Sequence, residues 1–404
     1  MDVLLAKETV VRAGRALVRE GLIQRTWGNV SCRISDSEFV ITPSGRDYLS
    51  LTPDDIVTVR IDDLSYEGDI KPSSEKGIHA MCYQLRDDVN FVIHTHQTYA
   101  SIQGLSGLDI NGIEGESAAI LGDNVPLASY GLPGTKKLRS GVVNAILRSD
   151  SKAALMLHHG ALCMGTDYDD AFRVANELEK VCKERVFSRF TEVSGKTAES
   201  FRSISDYIAE RLTTRTSATE LTPYESVRAF GVLEMTNAET GETLCIDLGS
   251  GLPVDPEMEL PDTAVLHAEI YKARKDVNAI IHSKDEATLS LSRMGKTIRP
   301  FLDDFAQIVG FTMKNAVYDP DNALKTSKKV IKKLKHRDAV LLDHNGAVCV
   351  GSDREEAEAV RLVAEKGAKA FVAADLYGRG KSYINTVESV LMRVIYKAKY
   401  SKKK

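Results

Sequence analysis

The stretch Val92-Ile93-His94-Thr95-His96 sets two imidazoles two residues apart at the end of an apolar run. In a β-strand, side chains alternate faces with a period of two, so His94 and His96 point the same way at a separation that suits one metal ion. By itself a His-x-His pair more often marks a polar strand rim than a metal site. Here a third imidazole is offered by His158-His159-Gly160, which follows the apolar run Ala153 to Leu157, and a carboxylate is offered by Glu75 in Pro72-Ser-Ser-Glu75-Lys-Gly. Three neutral imidazoles and one displaceable carboxylate are the donor set of a catalytic divalent-metal site that keeps one position open to substrate. Such ligands suit zinc best and also accept cobalt, manganese or iron.

The elements that must position these residues occur twice. Arg86 to His96 (RDDVNFVIHTH) is echoed by Arg274 to Lys284 (RKDVNAIIHSK), and His79 by His267, both at an offset of 188. Further on, KAALMLHHGALCMGTDYDDA from Lys152 is echoed by DAVLLDHNGAVCVGSDREEA from Asp338 at an offset of 186. Blocks in the same order at nearly constant spacing define a tandem repeat. A chain of 404 residues accommodates two cores of roughly 200 residues each. Apolar strand-like runs (Phe91 to Ile93, Ala154 to Leu157) alternate with helix-like periods such as Tyr168 to Phe187, which predicts layered α/β domains. Polar residues 194–200 place the join near residue 196, giving domains 1–195 and 196–404, with amphipathic stretches Leu4 to Val18 and Phe201 to Leu212 opening the two copies.

Composition narrows the function classes. A formal net charge of -4 lacks the basic footprint of a nucleic-acid-binding protein, and the Lys328 to Lys335 run reads as a solvated helix face. No window approaches the roughly 20 apolar residues of a membrane helix, and the first residues, MDVLLAKETVVRAGRALVREG, lack a signal peptide's apolar core. The expectation is a cytoplasmic protein with neither nucleic acid nor membrane as partner. Its six cysteines, scattered without C-x-x-C spacing, read as small core residues of a reducing compartment.

In order, the motifs GNVSCR from Gly28, ITPSG from Ile41, PSSE from Pro72, HTH from His94, YGLPGT from Tyr130 and LHHG from Leu157 make residues 20–185 resemble the class II aldolase/adducin family, L-fuculose-phosphate aldolases above all. The resemblance implies the layered α/β/α fold of that family in two tandem copies. It implies His94, His96 and His159 as metal ligands, with His158 a neighbour, and Glu75 as both ligand and catalytic acid/base once substrate displaces it. It also implies a substrate-phosphate site at Asn29, Ser44, Gly45, Ser73 and Ser74. Hydroxyls, an amide and backbone N–H groups on a glycine turn can surround a dianion without a lysine.

The implied activity is that of a zinc-dependent aldehyde-lyase, cleaving or forming a carbon–carbon bond in a phosphorylated ketose through a metal-stabilised enediolate. Epimerisation, decarboxylation and dehydration of related sugar phosphates on the same site are alternatives, as is a non-enzymatic adducin-like scaffold. One departure bears on the reaction. Where the family is expected to offer a catalytic tyrosine, this chain has Gly115 between Glu114 and Glu116, so either one of these glutamates or a residue of another domain supplies the acid, or the reaction is not the family's aldol cleavage. In the second copy Thr263 stands opposite Glu75, Lys284 opposite His96 and Asn345 opposite His159, leaving His282 alone of the ligands; Ser250-Gly251 reads as the remnant of Ser44-Gly45. A charged lysine has no lone pair to donate, so this copy is expected to bind no metal and to be structural or regulatory. Family members assemble as fourfold rings, which implies a homo-oligomer here, such as a dimer of tandem chains forming a pseudo-fourfold ring.

Overall fold

The structure is a computed structural model, and it describes residues 2–23, 27–213 and 219–399. The chain divides into two compact units, Met1–Gly195 together with the end from Lys397, and Lys196–Tyr396. Among the described residues no helix is long and apolar enough to cross a membrane.

In the first unit, β1 (Gly28–Arg33), β2 (Glu38–Ile41), β3 (Val57–Arg60) and β4 (Phe91–Thr95) are followed by a separate two-stranded ladder of β5 (Ile110–Asn111) and β6 (Asn124–Val125). Then come β7 (Leu127–Ala128), β8 (Ala153–Met156) and β9 (Ala161–Gly165). The main sheet has the order β3-β2-β1-β4-β9-β8-β7 and is antiparallel except where β7 lies parallel to β8. Helices cover both faces, because the strands are apolar on both. Phe91 and Ile93 join a core with the helices Val3–Arg19 and Tyr168–Ser194, whereas Val92 between them joins one with Lys76–Leu85 and Lys136–Leu147. That alternation puts His94 on the Val92 face, toward the helix that begins just after Glu75.

The helix ends follow ordinary capping chemistry. Asp2 accepts from the Leu5 N–H and Asp167 from the Asp170 N–H, and the helix Tyr168–Ser194 stops at Gly195 with φ 68°. It therefore runs about two turns beyond its clearest sequence period, up to a residue that adopts the left-handed conformation without a Cβ penalty.

The second unit repeats the plan with β10 (Tyr224–Ala229), β11 (Val232–Asn237), β12 (Thr243–Asp247), β13 (Ala279–Ser283), β14 (Lys314–Ala316), β15 (Ala339–Leu342) and β16 (Ala347–Gly351). Its order, β12-β11-β10-β13-β16-β15-β14, is the first order strand for strand, including the single parallel pair β14 and β15. Ser31 pairs with Ile41, and Ser226 with Met235, so β11 corresponds to β2. Ser250-Gly251 follows β12, the counterpart of β3, and so is not the remnant of Ser44-Gly45. Equal Ser-Gly dipeptides had suggested the match, and strand pairing overturns it.

The hairpins β8–β9 and β15–β16 turn through His158 (φ 64°) and His344 (φ 61°), both non-glycine residues held in the left-handed region. At Gly160 and Gly346 an added Cβ would meet the carbonyl oxygens of Thr95 and Ser283, each at 2.1 Å. Only glycine lets this hairpin lie against the end of the central strand.

Candidate metal centre

β4 carries His94 and His96 to one end of the sheet, and the β8–β9 turn carries His159 beside them. The His94 and His159 rings stack, 4.8 Å apart and 4° from parallel, with the His96 ring 4.9 and 4.6 Å from them. One nitrogen from each of the three imidazoles falls within 4.8 Å of the others. Glu75, the residue just before the helix Lys76–Leu85, closes the group: its Oε2 is 3.3 Å from His94 Nε2 and its Oε1 is 3.2 Å from His159 Nε2. The structure thus brings together all four expected ligands and selects His159 over His158, whose ring lies edge-on against Tyr130 at 5.2 Å.

The donor set fits a divalent cation. His94 Nδ1–H donates to the Ala161 carbonyl oxygen at 2.9 Å, which directs the Nε2 lone pair toward Glu75 and His96. Burial, more than the opposing pull of Glu75, holds the His94 pKa well below its usual value, so the imidazole is neutral and able to ligate. Burial would raise the Glu75 pKa, but attraction from His94 and His159 and the hydrogen bond from Asn29 outweigh it and hold the carboxyl well below its usual range. These two directions compete, because full attraction from His94 requires an imidazolium that its burial disfavours. An ionised carboxylate beside a neutral His94 is the state consistent with the Asn29 amide donating to the carboxylate and with close-packed imidazoles that cannot all be charged.

Behind Glu75 runs a buried hydrogen-bonded chain that sequence reasoning did not assemble. Asn29 Nδ2 donates to Glu75 Oε2 at 3.0 Å, and Asn29 Oδ1 contacts His79 Nε2. His79 Nδ1 lies 2.6 Å from Ser31 Oγ, itself 2.5 Å from Tyr83 Oη. Burial pushes the His79 pKa down to about 4, so the ring is neutral with a single N–H. An amide oxygen can only accept, so His79 Nε2–H donates to Asn29 and His79 Nδ1 accepts from Ser31. The direction runs from Tyr83 through Ser31, His79 and Asn29 to the carboxylate. One signal for this chain was available, since His79 recurs as His267.

The expected phosphate residues lie on neighbouring segments. An isolated bridge pairs Pro43 with Pro72, Ser44 N–H donates to the Lys71 carbonyl at 2.9 Å, and Ser73 N–H donates to the Thr42 carbonyl at 3.0 Å. This sets Ser44 and Gly45, with φ 71° at the glycine, beside Ser73 and Ser74. Ser73 Oγ accepts from the Glu75 N–H at 3.2 Å, and Ser74 is exposed. Asn29 pairs with His94 across β1 and β4, and its amide is engaged with Glu75 and His79. Gly115 starts the short helix Gly115–Leu121 at φ 62°, with Glu114 and Glu116 exposed beside it; no hydrogen bond or ion pair joins either glutamate to the histidine cluster among the described residues.

The second unit keeps the Ser-His-Tyr part of this chain and lacks the histidine cluster. Ser226 Oγ contacts His267 Nδ1 at 2.8 Å and Tyr271 Oη at 2.9 Å, as Ser31 contacts His79 and Tyr83. Arg228 stands over the Tyr271 ring as Arg33 stands over Tyr83. The ligand positions are filled by polar contacts instead. Asn345 Oδ1 accepts from the Leu221 N–H at 2.8 Å, and Asn345 Nδ2 donates to the Thr219 carbonyl at 2.9 Å. Lys284 pairs with Glu220 at 3.5 Å, and His282 Nε2 is turned to the Asn345 carbonyl at 2.5 Å. Residues 219–221 thus tie down Asn345 and Lys284, the positions that correspond to His159 and His96.

Comparison with known proteins gives this repeated α/β unit its family. The chain belongs to the class II aldolase and adducin N-terminal domain family, whose model matches residues 8–186 and again 227–372. A 5-deoxy-D-ribulose 1-phosphate aldolase of Bacillus thuringiensis serovar kurstaki is 33% identical over 174 residues, 43% of this chain and 80% of that protein. An L-fuculose phosphate aldolase of Escherichia coli K12 is 36% identical over 163 residues, 40% of this chain and 74% of that protein. Among solved structures, an L-fuculose 1-phosphate aldolase is 30% identical, with 48% of this chain and 89% of that one covered and a TM-score of 0.44.

Proposed function

We propose that the first unit is a metal-dependent aldolase that cleaves or forms a carbon–carbon bond in a phosphorylated ketose, and that the second is a structural or regulatory copy without metal. The observation that supports it most is the convergence of His94, His96 and His159 within 4.8 Å, with the Glu75 carboxylate against two of them. The relatives' names, aldolases of 5-deoxy-D-ribulose 1-phosphate and L-fuculose phosphate, point to ketose 1-phosphates.

A divalent ion held by the three histidines and Glu75, zinc by preference of imidazole and carboxylate donors, supplies an electrophile for a carbonyl oxygen. The chain's own residues do the rest. Glu75, ionised and within reach of the site, takes or returns the proton that bond cleavage and formation require. Asn29, steered by His79, fixes the rotamer of that carboxylate and tunes its basicity by donating to Oε2. Ser44, Gly45, Ser73 and Ser74 hold the phosphate beside Glu75. In this reading the proton donor for the leaving aldehyde lies outside the residue-115 position, which carries no side chain.

The test is elemental analysis of the purified chain beside a His94→Ala, His96→Ala double variant, followed by product analysis with ketose 1-phosphates. The expected result is about one zinc per chain, lost in the variant, with an aldehyde and a three-carbon phosphate released by the wild type. A chain that takes up neither zinc, cobalt nor manganese overturns the enzymatic reading and leaves a scaffold.

A further inference from the structure

Beside the phosphate residues lies a cleft of about 210 Å³ between the starts of the helices Lys76–Leu85 and Lys136–Leu147, lined by Ser74, Glu75, Thr135 and three cations, Lys76, Lys136 and Arg139. No carboxylate lies within 4 Å of any of these cations among the described residues. Lys76 stands over the Tyr66 ring, and Arg139 lies along the first turn of the neighbouring helix. A Cβ on Gly77 would come within 2.7 Å of Arg139 Nη1 and 3.2 Å of its Cδ, so the glycine is what lets the guanidinium occupy this place. Gly134, at φ 73°, brings the loop before the second helix to 3.5 Å from the Ser74 side chain, measured from where its Cβ would be. At the offset of 188 that holds through this part of the chain, the second copy carries Val265 for Gly77, so the space that Gly77 leaves is not repeated there.

We propose that this cleft takes the phosphate end of the substrate and that Arg139 is its charge-bearing contact, a specificity residue for phosphorylated over unphosphorylated sugars. The inference rests on the sugar-phosphate reading above. Hydroxyls and backbone N–H groups can surround a dianion but bring no full positive charge, so a cation beside them adds affinity. The Asn29 amide is already engaged with Glu75 and His79, and the carboxylate of Glu75 next door repels an anion. A guanidinium with fixed, forked donors beside two ammonium groups and the N-terminal N–H groups of two helices answers that charge where Ser74 begins the site. Glu75 belongs to both places, its carboxylate among the histidines and its residue on the cleft wall, which joins the phosphate end of a ligand to the reacting end.

The test uses the full metal-loaded chain and inorganic phosphate as the probe, with affinity measured by calorimetry for the wild type, Arg139→Met, Arg139→Lys and Gly77→Ala, and metal content and circular dichroism measured in parallel. Arg139→Met is expected to weaken phosphate binding at least about 10-fold, with metal content unchanged. Arg139→Lys should recover part of that loss, and Gly77→Ala should weaken binding by displacing the guanidinium. If turnover of a ketose phosphate is found, Arg139→Met should raise KM far more than it lowers kcat. Phosphate binding equal to wild type in a folded Arg139→Met, or no phosphate binding by the wild type, overturns the proposal. Arg139-dependent phosphate binding without turnover of any ketose phosphate upholds the cleft while the aldolase reading falls.

Discussion

The two units share one strand order, one hairpin geometry and one buried Ser-His-Tyr chain, and they differ at the end of the sheet where the imidazoles gather. In the first unit three histidines and a glutamate face each other, with the Asn29 amide behind the carboxylate. In the second, Asn345 and Lys284 stand in place of His159 and His96 and are engaged by residues 219–221. The shared Ser-His-Tyr chain is present in both units, while the histidine cluster is confined to the first among the described residues, so the fold does not require it. What separates the two sheet ends is therefore a handful of side chains and the backbone that fills their place.

The strongest way to break this comparison is to remove equivalent residues. His159→Ala should abolish metal binding and lower carbon–carbon cleavage on the order of 10³-fold. Asn345→Ala should leave metal content and activity intact, and destabilise only the second unit by about 1–3 kcal/mol as the Leu221 N–H and Thr219 carbonyl lose their partner. Equal effects of the two on metal content would erase the distinction. The converse change, Thr263→Glu with Lys284→His and Asn345→His, is expected to leave the chain with a single ion by elemental analysis, because residues 219–221 still occupy the site.

Next in size are the hairpin glycines, where the units should behave alike. Gly160→Ala and Gly346→Ala should each cost about 3 kcal/mol, since the new Cβ overlaps a carbonyl oxygen in both. Chemical denaturation with a probe in each unit checks this, and a tolerated alanine in either one would show that the hairpins do not press on their strands equally.

A smaller effect is expected at Asn29. Replacing it by Ala removes the donor to Glu75 and should lower metal affinity or activity about 10- to 100-fold with little change in stability. The same loss in an Asn29→Asp variant would separate the amide's donation from its size.

The gentlest test is pH. Burial depresses the pKa of His79 to about 4 and of His267 to about 3, both from an ordinary 6.5. The unfolded chain therefore binds protons that the folded chain refuses as pH drops below 6.5. Stability is full above that value and is lost as pH falls toward 4 in the first unit and 3 in the second, roughly 2 kcal/mol per histidine by pH 5. Replacing either histidine by glutamine should flatten the acid limb of its own unit only, which denaturation curves at pH 7 and 5 would resolve.

Much of the candidate site was legible before any fold was known. His94 and His96 share a face because strands alternate with period two, and the family motifs singled out Glu75 and His159. The tandem plan was legible because blocks recur in the same order at nearly constant spacing, and the helix Phe201–Leu212 because its apolar period is local. The chain from Tyr83 to Glu75 was not, because it joins residues about 50 positions apart through hydrogen bonds that leave no periodic trace. Nor was the misassignment of Ser250-Gly251 avoidable, since a two-residue likeness carries no information about which strand precedes it.

By itself, then, the sequence determined the layered α/β plan in two copies and the residue types set at the end of each sheet, which follow from residue chemistry and local period. Only the tertiary structure decided that Asn29 serves Glu75, that Arg139 lies over Gly77 at the edge of the site, and that residues 219–221 engage the second. Those choices depend on which distant groups come within hydrogen-bond reach once the sheet and its helices have packed, and no local pattern encodes that distance.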